Sequence, residues 1–387
     1  MSPTVQGHVL TPSGFLRGRL SIAPDGRIAA IDGEPVSEPE ARAAADAAWP
    51  LVLPGFIDTH VHGGGGADTM DAGAAVATLA QLHGRHGTTA LLATTMTAPL
   101  AEIEAALRAL APLCAAPVGR AGLGTAAGAR VLGVHLEGPY INGERLGAQP
   151  PFARAPSLQE ILALNALAPI RLVTLAPEVA GNLAIIPALV AAGMRVQIGH
   201  SVATYEQALA ALQQGASGFT HLFNAMSGLH HRAPGAAGAA LAHARHAELI
   251  PDLLHVHPGA MHAALRAIPG LFCVTDATAA AGMPDGQYRL GRHTVTKCQG
   301  GVRLPDGSPE GTLAGSALTM DQALRNLVQI GLTVAAASAR VSTHAADYLG
   351  LPARGRLAVG AWADFVLLDG ATLAVQGVVV EGAALAL

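Results

Sequence analysis

The stretch Val52–His62, VLPGFIDTHVH, carries an apolar, β-prone run straight into Asp58, Thr59, His60 and His62. The same theme returns along the chain: a short β-rich run, a polar residue at its end, then an Ala/Leu-rich helical stretch. Eight runs fit it, at Val52–Asp58, Thr88–Thr94, Val131–Glu137, Ile170–Ala176, Arg195–His200, Gly218–Leu222, Glu248–Val256 and Leu271–Asp276. Between them lie patterns such as LAEIEAALRALAPL (Leu100–Leu113) and SLQEILALNAL (Ser157–Leu167), with Leu and Ile at helical intervals. Alternating βα units predict a parallel sheet, and eight of them close into a (β/α)8, TIM-like barrel of the α/β class. An open doubly wound sheet is the alternative, but no Gly-rich dinucleotide turn follows the first run to support it.

The two ends differ in kind. Residues 1–52 read as short strands joined by turns, and residues 353–387 have the same texture. Neither half alternates enough to form a sheet alone, so the two are expected to pair into one small β-sandwich-like domain beside a barrel spanning 53–352. Residues 287–311, rich in Gly and turn signals, read as an excursion after the eighth run.

Composition limits the function. The 387 residues are 51% hydrophobic and only 13% charged, enough apolar material for a large core. A net charge of −4 and few aromatic residues give no platform for nucleic acid or for an anionic membrane surface. No apolar run approaches the roughly 20 residues of a spanning helix, and the amino terminus lacks the pattern of a signal peptide. Cys114, Cys273 and Cys298 lack metal-type spacing and read as reduced thiols, which makes a cytoplasmic location the default expectation.

Barrel chemistry sits at the carboxyl ends of the strands. There the runs deliver His60 and His62, Glu137, His200, His221, His255 and Asp276. Taken singly, a strand-end histidine is more often a hydrogen-bonded structural group than a ligand. Six strands sending such groups to one rim call for a common cause, and a metal centre supplies it. Glu137, His200 and His221 offer one carboxylate and two imidazoles, leaving a position open for water. His60 and His62 fall on one side of their strand by its period of two, so they can hold a second ion. Asp276 is placed to take and return a proton. Glu178, at the end of the fourth run, reads as a helix N-terminal carboxylate.

PGFIDTHVHG (Pro54–Gly63) resembles the opening signature of the amidohydrolase superfamily. Lys297 is the sole lysine, so the subclasses that bridge metals with a strand-four lysine fit poorly. The deaminase-like subclass also fits poorly, because no glutamate follows His200 in His200–Thr204. HLEGP (His135–Pro139), GHS (Gly199–Ser201), THLFNAM (Thr220–Met226), VTDATAAAGMPDGQYRLG (Val274–Gly291) and GTLAGSALTMDQALRN (Gly311–Asn326) resemble the N-acetylglucosamine-6-phosphate deacetylase family, from about residue 50 to 370.

That resemblance implies hydrolysis of the acetamido group of N-acetylglucosamine 6-phosphate, in amino-sugar metabolism. It implies one or two divalent metals per subunit at Glu137, His200, His221, His60 and His62, with zinc foremost and iron, cobalt or manganese compatible. Asp276 would be the catalytic acid and base. Substrate contacts carried over by position are Ala148, Gln149, Asn224, Ala225, Asp252, His255, Leu313, Ala314 and Gly315. Arg232 would reach the phosphate from a neighbouring subunit, which implies a homodimer. Gln149 departs from the family pattern, since many members have a histidine there that helps polarise the acetyl carbonyl. The alternatives are a deacetylase of N-acetylgalactosamine 6-phosphate or another N-acetyl sugar, and a catalytically silent sugar-phosphate sensor.

Overall fold

Strand-prone runs of Val, Ile, Leu and Thr form the eight inner strands of a computed structural model that describes residues 3–116, 128–305 and 311–386. Residues 1–2 and 387 of the terminal segments, and 306–310 of the expected excursion, lie outside the described residues. Barrel strands one to six are Phe56–Val61, Thr88–Thr95, Arg130–Glu137, Ile170–Leu175, Arg195–Ile198 and Gly218–Phe219, hydrogen-bonded in chain order as a parallel sheet. Strands seven (Glu248–Leu249) and eight (Phe272–Cys273) pair with each other. Backbone bonds complete the ring: Leu222 N–H donates to Glu248 O, Asp276 N–H to His60 O, and His62 N–H to Ala277 O.

Strands seven and eight are much shorter than the runs Glu248–Val256 and Leu271–Asp276. After Leu249 the chain turns through Pro251 and a left-handed Leu253, which ends the ladder. Strand one also differs from its expected span. Leu51–Pro54 pairs with Phe365–Leu368 and belongs to a different sheet; only Phe56–Val61 enters the barrel.

That other sheet has seven strands, and it places Thr4–Thr11, Gly14–Ile22, Ile28–Pro35 and Leu51–Pro54 beside Phe365–Leu368, Val375–Val380 and Ala383–Ala384. Alternation sorts its side chains. Val9 and Val52 enter one small apolar cluster, whereas Leu10, Leu51 and Leu53 join the cluster shared with barrel residues such as Ile57 and Phe272. The excursion after strand eight is a four-stranded antiparallel sheet, Gly286–Leu290, His293–Cys298, Gly301–Leu304 and Thr312–Ser316. Its last strand returns to the rim, where Ser316 N–H donates to Asp276 O at 2.7 Å.

Capping follows the local sequence. Thr204 and Gln207 form a reciprocal box at the start of helix Tyr205–Gln213, and Ser157 caps Leu158–Leu167. No helix among the described residues is long and apolar enough to cross a membrane.

Candidate metal centre and active site

Strands five, six and eight present their polar rim residues at a conformational cost. His200, His221 and Asp276 have φ of 48°, 30° and 50°, in the left-handed region that side chains disfavour. Such strain persists only where surrounding bonds enforce it, and it gathers at functional sites. Here Glu178 enforces it beside His200, accepting from Ser201 Oγ and from Val202 N–H, each at 2.7 Å. The expected helix-terminal role of Glu178 is therefore replaced by a rim contact between two loops.

The ligand atoms converge. Glu137 Oε1 lies 3.0 Å from both His200 Nε2 and His221 Nε2, and these two nitrogens are 3.1 Å apart. Glu137 Oε2 is 3.1 Å from His62 Nε2, which is 3.2 Å from His60 Nε2. Asp276 Oδ1 stands 3.4 Å from His60 Nε2 and 3.3 Å from His62 Nε2. All six side chains are buried.

The donor set fits a bound cation, and the tautomers give the reason. His200 Nδ1 is 2.7 Å from Arg145 O, and a carbonyl can only accept, so Nδ1 carries the hydrogen. In the neutral ring the Nε2 lone pair then faces a carboxylate oxygen and a second imidazole. His60 repeats this with Nδ1 donating to Glu248 Oε2 at 3.0 Å. Lone pairs crowded against carboxylates repel unless positive charge lies among them. Without a metal, protons fill that role. Burial alone would lower His62, but hydrogen bonds to Asp276 and Glu137 reverse this and raise it to about 9. His60 is raised likewise against burial, through the charges of Glu137 and Asp276. A divalent cation satisfies the same groups with the imidazoles neutral.

The buried groups include two that share the rim without serving the cavity. His135 gives Nδ1–H to Thr59 O and receives the Thr174 hydroxyl at Nε2, so both nitrogens are committed to structure. Asp58 accepts from Thr275 Oγ1 and N–H, latching strand one to strand eight, and burial pushes its carboxyl up to about 7.

Above the cluster opens a cavity of about 340 Å³, with His62, Glu137, His200, His221 and Asp276 at its floor. Of the residues carried over as substrate contacts, Ala148, Gln149, Asn224, Ala225, His255, Leu313 and Gly315 line it. Three do not. Ala314 is fully buried in the apolar cluster under the antiparallel sheet. Asp252 works through its neighbour, accepting from His255 Nδ1 at 2.6 Å. Burial would lower His255, but that bond and the Asp252 charge raise it. Arg232 is exposed and donates to His231 Nε2 at 2.7 Å, and it does not line the cavity.

The cavity also takes in Met96, Arg145, Leu290 and Thr312, which sequence reading missed. Arg145 lies four residues before Gln149, at the end of the single 3-10 turn Gly143–Arg145, too short to leave a periodicity that would single it out. Gln149 points down rather than into open space, its Nε2 donating to Glu137 Oε2 at 2.6 Å.

Residues 51–385 match the amidohydrolase family. An N-acetylgalactosamine-6-phosphate deacetylase of Escherichia coli is 42% identical over 97% of each chain. An N-acetylglucosamine-6-phosphate deacetylase of Lysinibacillus sphaericus is 41% identical over 82% of this chain and 81% of its own. Among solved structures, a variant of the N-acetyl-D-glucosamine-6-phosphate deacetylase of Mycobacterium smegmatis, in complex with N-acetyl-D-glucosamine-6-phosphate, superposes with a TM-score of 0.86. It is 35% identical, over 99% of both chains. With its ligand cluster at the barrel rim and relatives matching nearly end to end, the chain belongs to the amidohydrolase family, in the branch that holds the N-acetylhexosamine-6-phosphate deacetylases.

Proposed function

We propose that this chain hydrolyses the acetamido group of N-acetylglucosamine 6-phosphate, giving glucosamine 6-phosphate and acetate. The observation that carries the reading is the buried cluster of Glu137, His200, His221, His60, His62 and Asp276, all but His60 at the floor of a cavity of about 340 Å³. Glu137, His200 and His221 are the proposed main metal site, and His60 and His62 with Asp276 the second position. Zinc is the proposed metal, and imidazole with carboxylate also suits iron, cobalt or manganese. When bound, the cation acidifies water and polarises the acetyl carbonyl. The chain's own groups do the rest. Asp276 accepts a proton from the attacking water at its carboxylate and passes it to the departing amine. Asn224, the Ala225 backbone and the His255 ring, oriented by Asp252, hold the phosphate end of the sugar.

Arg232 is proposed to complete the phosphate site of a neighbouring subunit in a homodimer. Its exposure, and that of Leu229 three residues before it, supports this. A cytoplasmic location is proposed with it, where phosphorylated sugars are at hand.

A second reading has its own support: the Escherichia coli relative that is 42% identical acts, by its name, on N-acetylgalactosamine 6-phosphate. One experiment addresses both. Acetate release is measured on N-acetylglucosamine and N-acetylgalactosamine, each with and without 6-phosphate, after metal reconstitution. The proposal expects the highest kcat/KM on N-acetylglucosamine 6-phosphate. A higher value on the galactosamine epimer would install the second reading, and no release from any sugar would leave only a sensor.

A further inference from the structure

Barrel strand two is the one strand of the first three that sends no His, Asp or Glu to the rim, yet its exit reaches the metal cluster through Gln149. The Thr97 backbone N–H, just past that strand, donates to Gln149 Oε1 at 2.6 Å. A backbone donor can meet only the amide oxygen, so the orientation of the amide is fixed and Nε2 must face the other way. There it donates to Glu137 Oε2 at 2.6 Å. The side chain is buried, and its own backbone N–H is held by Leu146 O at 2.8 Å. Its carbonyl and one of its two N–H bonds are thus committed to the protein.

Glu137 is the group that both halves of the cluster share. Its Oε1 faces His200 and His221, and its Oε2 faces His62. A carboxylate free to rotate would lose both alignments together. Bonds from outer partners fix the orientation of metal ligands and raise their affinity, and Gln149 supplies that bond on the Oε2 side.

We propose that Gln149 is a positioning residue that fixes the Glu137 carboxylate for metal binding, rather than a group that polarises the acetyl carbonyl. The proposal rests on the metal reading above, and its test separates the two. The substitution Gln149→Leu keeps the volume and removes both polar ends. The apparent Kd for Zn²⁺ of the full chain is measured by competition with a chromophoric chelator, beside wild type. The melting point of the metal-free protein and kcat and KM across a zinc titration are recorded in parallel.

The expected result is zinc affinity weakened by about 10- to 100-fold, with a loss of turnover that excess zinc largely reverses. Gln149→His, which keeps one donor and one acceptor, should recover much of the affinity. If the leucine variant does not accumulate, Gln149→Asn carries the same measurement, because its shorter amide cannot span Thr97 and Glu137. Unchanged zinc affinity with a kcat deficit at saturating zinc would overturn the proposal in favour of carbonyl polarisation. Unchanged affinity with only a lower metal-free melting point would overturn it in favour of simple packing. Wild-type protein that binds no zinc, iron, cobalt or manganese would remove the metal reading itself, and the proposal with it.

Discussion

Asp276 is the residue on which hydrolysis turns. Its Oδ1 stands within 3.4 Å of both strand-one imidazoles, and its backbone is braced by His60 O and by Ser316 N–H. Asp276→Asn keeps the shape and removes the basic oxygen. Acetate release should fall about 10²- to 10⁴-fold, the range for a positioned acid–base group. Substrate binding, measured by calorimetry, should persist. Turnover equal to wild type would remove the proposed role. At this scale the sequence was informative wherever chemistry is carried by residue type at a strand end. His60, His62, Glu137, His200, His221 and Asp276 were all visible in that way, and they meet in space. Contacts made across loops were not. The partner of Gln149 lies twelve residues earlier, around a loop that leaves no periodic trace, so the glutamine could be read only as a substrate contact.

Helix Met320–Gln329 shows how one charged residue sets an element's behaviour. Asp321, in its first turn, accepts from Thr319 Oγ1 at 2.6 Å and Arg325 Nη2 at 2.9 Å, and lies 3.2 Å from His86 Nδ1 beyond helix Ala75–Arg85. Burial alone would raise its carboxyl. The His86 contact, then Thr319 and Arg325, overcome burial and hold it down at about 2. An ordinary aspartate in the unfolded chain titrates near 4. The bond therefore stabilises the fold fully above about pH 4, and that contribution is lost as pH falls toward 2, roughly 2 kcal/mol in all. Asp321→Asn should flatten this acid limb in urea unfolding of the metal-free protein, where ligand protonation does not intrude. Parallel curves for variant and wild type would refute it. Element type was legible for helices Leu100–Cys114 and Leu158–Leu167, whose Leu and Ile recur at helical spacing. Element length was not legible for strands seven and eight. The strand-seven run goes on to Ile250, Leu253, Leu254 and Val256 after its ladder has ended, and burial favours apolar residues in a loop as much as in a strand.

Across the whole molecule, one buried network joins barrel and terminal sheet. Arg130, at the start of barrel strand three, donates to Glu381 Oε2 at 2.7 Å; Arg354 donates to Glu381 Oε1 and, at 2.5 Å, to Asp364 Oδ2. The eightfold rhythm was legible because each βα unit repeats locally. This network was not, because its members stand as much as 251 residues apart and no local pattern links them. Burial already raises Asp364 against the attraction of Arg354. Arg354→Met would leave that carboxylate without its cation, while Glu381 keeps Arg130. Removing one partner of a buried pair costs about 3–5 kcal/mol, since the remaining charge is stranded. Denaturant unfolding should show a loss of that order. Adding Asp364→Asn should then restore part of it, because the asparagine oxygen can still accept the Glu381 N–H that Asp364 Oδ1 now holds at 2.7 Å. If the double variant were no more stable than the single one, stranded charge would not be the cause. The loss would then lie in the packing of Arg354 over the Trp362 ring, 5.5 Å away, which a methionine replaces only in part.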